Sequence, residues 1–115
     1  MTTKIYHNPR CSKSRATLAL LREHNIEPEI VEYLNTRPDA EEIRTLLDLL
    51  GLPARDIVRK GESAFRESGL TPDSPEDDLI ALMAAEPIVI ERPIVVAGGA
   101  ARIGRPPENV MELLR

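Results

Sequence analysis

The chain predicts an α/β fold: a four-stranded mixed sheet flanked by helices, with a helical insertion between a β-α-β half and a β-β-α half. Three observations carry this prediction. An apolar strand, a helical stretch and a β-rich run follow one another within residues 4–34. Apolar residues in the middle of the chain recur at helical spacing. The last part holds two β-branched runs and a Gly-Gly turn ahead of a helix with one apolar side.

Lys4 to Tyr6 reads as a short strand ended by Asn8-Pro9, and a helix follows from about Ser12 to His24, with Ala16, Leu18, Leu20 and Leu21 as its apolar content and Asn25 at the stop. Glu29 to Leu34 reads as the second strand, since Ile30, Val31 and Tyr33 favour extended structure. A β-α-β unit of this kind gives parallel strands joined by a right-handed crossover. Ile43, Leu46, Leu47 and Leu50 then repeat at i, i+3, i+4 and i+7, with Asp39 and Glu42 as a capping pair and Gly51 as the stop. A short helical turn near Arg55 to Val58, a polar helical stretch, and a helix opened by Ser74-Pro75 and closed at Glu86-Pro87 complete the insertion. Ile88 to Ile90 and Ile94 to Ala97 read as β runs, and Gly98-Gly99 turns the chain back through Ala101 to Ile103 as a hairpin rather than a phosphate loop. Pro106-Pro107 introduces a last helix bearing Val110, Leu113 and Leu114. This is the element order of a thioredoxin-like fold, and residues 1–115 read as a single domain of that type.

The chain has 115 residues, with 15 basic against 19 acidic side chains and a formal net charge of -4. That balance disfavours a general nucleic-acid or acidic-membrane surface. The first residues lack the apolar core of a signal peptide, and no apolar run reaches membrane-spanning length, so the expected location is cytoplasmic. A single cysteine provides neither an internal disulfide nor a cysteine-rich metal framework; no metal and no bound cofactor are expected.

That cysteine, Cys11, lies between the first strand and the first helix in His7-Asn8-Pro9-Arg10-Cys11-Ser12-Lys13-Ser14-Arg15. An isolated cysteine is ordinarily a small buried hydrophobe. A helix start crowded with cationic residues is instead the setting that lowers a thiol pKa and makes a nucleophile. Arg59, Arg92 and Arg105 each sit at a break between elements, where a scaffold displays functional groups. Each alone reads as a solvated surface charge; converging on Cys11, the three would bind an oxyanion and stabilise charge during attack. His7 alone reads as a strand-end hydrogen-bonding group and Ser12 as a helix cap.

These segments, together with Val58-Arg59-Lys60, Glu91-Arg92-Pro93-Ile94-Val95-Val96 and Ala101-Arg102-Ile103-Gly104-Arg105-Pro106-Pro107-Glu108, resemble the glutaredoxin-coupled arsenate reductase family, in its short bacterial branch. The resemblance spans essentially the whole chain, with several separated motifs in order. It implies that Cys11 attacks arsenate, that Arg59, Arg92 and Arg105 bind the oxyanion and stabilise the transition state, and that His7 and Ser14 help hold the thiolate. It also implies glutathione as co-substrate, glutaredoxin as the partner that resolves the mixed disulfide, and a cis peptide at Arg92-Pro93. The lone thiol agrees with an external reductant. Two other readings stay open. One is a redox-sensing regulator of the RNA-polymerase-binding Spx type, although the Cys-x-x-Cys switch of those proteins is here Cys11 and Ser14. The other is a thiol reductase acting on a different substrate.

Overall fold

In the computed structural model, which describes residues 2–114, both ends of the chain build one sheet. The strands are β1 (Thr3–Tyr6), β2 (Glu29–Val31), β3 (Ile94–Ala97) and β4 (Ala100–Ile103), in the order β2-β1-β3-β4. β1 runs parallel to β2, with Ile5 opposite Ile30, and antiparallel to β3, with Ile5 opposite Val95; β3 pairs antiparallel with β4. The helices are α1 (Ser12–Glu23), α2 (Tyr33–Thr36), α3 (Ala40–Leu50), α4 (Ser63–Ser68) and α5 (Glu76–Ala85). Two compact units result: the sheet with α1, α2 and the C-terminal segment, and the helical insertion Arg37–Glu91. The mixed sheet with flanking helices is the expected α/β architecture.

In the sheet unit, Leu18 and Leu21 of α1 meet Ile5, Val95 and Val110 in one buried cluster, with Leu20, Ile26, Leu113 and Leu114 packed around it. Each fully buried aliphatic side chain there stabilises the fold by about 1.5–3 kcal/mol relative to exposure. The β3–β4 turn is the predicted hairpin. Gly98 and Gly99 have φ of 60° and 79°, the doubly positive pair that a two-residue turn requires to match strand twist.

Three elements differ from the sequence expectation. The second strand stops at Val31, because Tyr33, only 1% exposed, anchors α2 instead of extending the ladder. Pro87 to Val89 coil into a 3-10 turn, leaving only Ile90 extended, in an isolated bridge with Val58. Pro107 to Leu114 is likewise 3-10 rather than α-helical. Among the described residues no helix is long and apolar enough to cross a membrane.

In the helical unit, α3 packs against α5, and Ile43, Leu46 and Leu47 are buried, as are Leu79, Ile80 and Met83. The Asp39 carboxylate caps α3 by accepting the Glu42 amide at 2.8 Å, and Gly51, with φ of 71°, ends it. Asp39→Ala is expected to lower stability by about 1 kcal/mol in urea denaturation, while Asp39→Asn keeps most of the cap.

Candidate active site

The Cys11 loop is a turn dictated by its first two residues. Asn8 opens it and Pro9 supplies the fixed φ of the second position. The Asn8 carbonyl accepts the Cys11 amide at 3.0 Å, and its side-chain Oδ1 accepts the Arg10 amide at 3.0 Å. Cys11 leaves the turn with extended backbone (φ -94°, ψ 124°) and stands as the N-cap of α1, its carbonyl accepting the Arg15 amide at 3.0 Å. Ser12, read from sequence as the cap, is therefore the first helical residue.

Beneath the turn lies a buried polar network. His7, Asn8 and Ser14 are 6%, 5% and 0% exposed. Ser14 Oγ accepts the Asn8 amide at 3.0 Å and shares a 2.6 Å hydrogen bond with His7 Nδ1. The His7 amide donates to Val31 O at 2.9 Å, which ties the loop to the end of β2. Burial lowers the His7 pKa below its ordinary value; nearby Glu32 opposes this and Arg22 and Arg15 reinforce it. His7 is accordingly a neutral partner for the Ser14 hydroxyl at neutral pH.

The half-buried sulfur faces several donors. Burial pushes the Cys11 thiol up. The Ser14 amide, the Arg92 guanidinium, the Lys13 amide and the charge of Arg105 outweigh it, and the net pKa lies below the ordinary thiol value. The thiol completes no cap hydrogen bond to the helix, but its place at the N-terminus exposes it to the first-turn amides, and that turn holds no acidic residue. Arg105 Nη2 donates to Sγ at 3.4 Å, and its Nε donates to the Arg92 carbonyl at 2.8 Å. One guanidinium thus spans the thiol and the backbone of the second arginine. Asn109 Nδ2 holds the Arg105 carbonyl at 2.9 Å.

Arg92 and Arg105 each precede a cis proline, Pro93 and Pro106. The first is the cis bond that the resemblance implies. Gly104 sits where a Cβ would overlap Thr17 Oγ1 and approach Pro93 Cγ to 2.9 Å, and its amide donates to Pro93 O at 2.9 Å. The closeness of these backbones places Arg105 at the start of α1.

Arg59 belongs to the helical unit. Its Nη1 pairs with Glu91 Oε1 at 2.9 Å and its Nε with Glu62 Oε1 at 3.3 Å. Of the residues read from sequence, Cys11, Arg92, Arg105, His7 and Ser14 therefore come together in the sheet unit, with His7 and the Ser14 hydroxyl underneath the loop and the Ser14 amide toward the sulfur. Asn8, Thr17, Gly104 and Asn109 were not singled out. The Asn-Pro pair was a legible turn signal for Asn8; Thr17 and Gly104 meet through long-range packing that no local pattern reports, and Asn109 acts on a carbonyl four residues back.

Fold and site together define a thioredoxin-like protein carrying one activated cysteine among arginines. The profile of the ArsC family matches residues 6–113, and the chain belongs to that family. It is 54% identical over 113 residues to "Uncharacterized protein YfgD" of Escherichia coli K12, covering 96% of this chain and 95% of that one. It is 47% identical over 113 residues to an arsenate reductase of Neisseria meningitidis serogroup A, covering 96% and 97%. The solved structure of an arsenate reductase from Vibrio cholerae superposes with a TM-score of 0.94 at 49% identity, covering 98% of both chains.

Two measurements check this geometry. The rate of Cys11 alkylation by iodoacetamide should titrate with a midpoint below the unperturbed thiol value of about 8.5, and Arg105→Gln should raise that midpoint. Because the folded pKa is the lower one, the thiolate contributes stability above the unfolded-state pKa that is lost as pH falls through the folded value. Gly104→Ala should cost about 1–3 kcal/mol in chemical denaturation through overpacking, and it should also raise the alkylation midpoint by displacing Arg105.

Proposed function

We propose that this chain reduces arsenate to arsenite through a thiol-arsenate adduct on Cys11. The observation that carries the reading is the contact of Arg105 with the Cys11 sulfur at 3.4 Å, in a setting that favours the thiolate. The meningococcal and Vibrio relatives bear the name arsenate reductase, which supports the same substrate.

In the proposed reaction the Cys11 thiolate attacks arsenic(V); the S–As bond forms, an As–O bond breaks, and the departing hydroxyl takes a proton from solvent and leaves as water. Arg92 and Arg105, released from the sulfur as its charge is spent, hold the arsenate oxygens, and Arg59 joins them as the resemblance implies. A glutathione thiolate then attacks the Cys11 sulfur. A disulfide forms, the S–As electron pair passes to arsenic, and arsenite departs as arsenic(III). A thiolate of glutaredoxin then attacks the glutathione sulfur of that disulfide, takes the glutathione as its own mixed disulfide and releases the Cys11 thiolate. External resolution is supported by the single cysteine of the chain. His7 and Ser14 support the thiolate by bracing the Cys11 turn.

The test follows NADPH consumption with arsenate, glutathione, glutaredoxin and glutathione reductase. Arsenate-dependent turnover is expected, with none in Cys11→Ser. Replacing Arg92, Arg105 or Arg59 by Gln should lower kcat/KM about 10²–10³-fold, the usual cost of losing one preorganised donor to a developing oxyanion. Turnover that persists in Cys11→Ser, or wild-type protein inert toward arsenate, would overturn the proposal.

A further inference from the structure

The proposed reaction brings glutathione to Cys11, and none of the residues assigned so far binds it. Beside the Cys11 turn, within the sheet unit, an open groove of about 650 Å³ runs along α1. Its lining includes Pro9, Leu18 and Ala19 together with the charged side chains of Arg15, Arg22 and Glu23. Its size lies inside the roughly 300–1,000 Å³ span of small-ligand sites.

The two arginines differ in the donors they have left. A guanidinium grips a carboxylate in two-pronged fashion through Nε with one Nη, or through both Nη. Arg22 has filled the first edge: its Nε and Nη2 donate to Glu27 at 3.1 and 3.0 Å. Arg15 uses Nη1, which donates to the Pro9 carbonyl at 2.9 Å, and it pairs with no carboxylate among the described residues. That bond holds the exposed guanidinium against the Cys11 turn and leaves the edge formed by Nε and Nη2 open to a ligand. The Arg15 amide donates to Cys11 O at 3.0 Å, so Arg15 stands one helical turn from the thiol residue.

Charge also changes sign along the groove. Arg10, Lys13 and Arg15 surround its Cys11 end, and the first acidic residue of the chain is Glu23, at the other end of α1. Glutathione has the matching polarity. Its glycyl carboxylate adjoins the cysteinyl residue that bears the thiol, and its ammonium group lies at the γ-glutamyl end.

We propose that this groove is the glutathione subsite and that Arg15 holds the glycyl carboxylate, presenting the glutathione sulfur to Cys11. This rests on the reading above that glutathione resolves Cys11. Arg15 is a binding residue for the co-substrate and takes no part in holding the oxyanion.

The experiment compares two disulfide probes, glutathione disulfide and uncharged hydroxyethyl disulfide. With either one the Cys11 thiolate attacks a probe sulfur, a new S–S bond forms, the probe S–S bond breaks and the other half leaves as a thiolate; neither arsenate nor glutaredoxin is needed. Mass spectrometry of the mixed disulfide gives both rate constants, and their ratio cancels any change in the reactivity of the sulfur itself. Arg15→Gln should lower the ratio for glutathione disulfide over hydroxyethyl disulfide about three- to tenfold, as for one solvent-accessible charge-assisted pair. Arg15→Lys, which keeps the charge and loses the fork, should fall between, and Arg22→Gln should cost far less. In turnover, Arg15→Gln should raise glutathione KM with little change in arsenate KM. An unchanged ratio in Arg15→Gln overturns the proposal, even where both rates fall, because Arg15 would then merely brace the Cys11 turn. An equal loss in Arg22→Gln overturns it too, since diffuse charge rather than the open edge would be responsible. Should Arg15→Gln fail to fold, Arg15→Lys decides by the same criterion. An Arg15-dependent ratio in a protein inert toward arsenate would sink the reductase reading and leave the subsite standing; arsenate turnover with an unchanged ratio would do the reverse.

Discussion

A buried hydrogen-bonded group at the end of β1 underlies the placement of the reactive thiol. His7, Asn8 and Ser14 are taken almost wholly out of water, and polar groups in that position destabilise a fold by roughly 1–3 kcal/mol each when left without partners. Ser14 Oγ meets this demand by serving both His7 Nδ1 and the Asn8 amide, so the serine in the first turn of α1 is fastened to the two residues that leave the strand. The intervening residues then have little freedom. Asn8 and Pro9 close the turn, and Cys11 arrives at the helix N-terminus with its sulfur facing the first-turn amides. Neutral His7 suits this arrangement, since a charged imidazole would add the cost of burying an ion to the same network.

The second half of the sheet completes the electrostatics. Arg92 precedes β3 and Arg105 follows β4, so the two-residue Gly98-Gly99 hairpin returns the chain to the end from which it left. Antiparallel register therefore brings together two arginines separated by 13 residues, and Arg105 Nε on the Arg92 carbonyl fixes one against the other at 2.8 Å. Gly104 is required for a steric reason alone, because Thr17 and Pro93 fill the space a side chain would need.

The legible and illegible parts of this molecule divide along that line. The strand-turn-helix around Cys11, the period of α3 with its Asp39 cap, and the Gly-Gly hairpin are local patterns, written in residues a few positions apart. The shortened β2 and the 3-10 turn at Pro87 to Val89 were misread because β-branched and aromatic residues signal burial as much as extension; Tyr33 is buried in a helical turn. The arginines could be nominated individually from their places at element ends. The ion pairs of Arg59 with Glu62 and Glu91 were not readable, since the Glu91 contact depends on a single bridge between Val58 and Ile90, 32 residues apart. Thr17 and Gly104 were silent for the same reason: they meet across the sheet unit, 87 residues apart, through the shape of the backbone.

The arrangement also resolves a tension in thiol chemistry. Lowering a thiol pKa enlarges the thiolate fraction but reduces the nucleophilicity of each thiolate, so stabilising charge on sulfur does not by itself speed attack. Arg105 and Arg92 escape this penalty if their donors follow the charge. In the thiolate form the negative charge is on Sγ and the guanidinium groups attend it; in an attack on an oxyanion the sulfur would lose that charge as the oxygens take it up. Donors that can serve either atom stabilise the transition state more than the ground state only when the oxyanion draws them away, which is the differential binding that catalysis needs. The Arg105 geometry permits such a transfer, because its anchor to the Arg92 carbonyl uses Nε while Nη2 alone addresses the sulfur. The anchor uses a donor that the sulfur does not, so the tie to the Arg92 carbonyl does not compete with the contact to Sγ, and the cation is held beside the sulfur by a bond independent of the charge it neutralises.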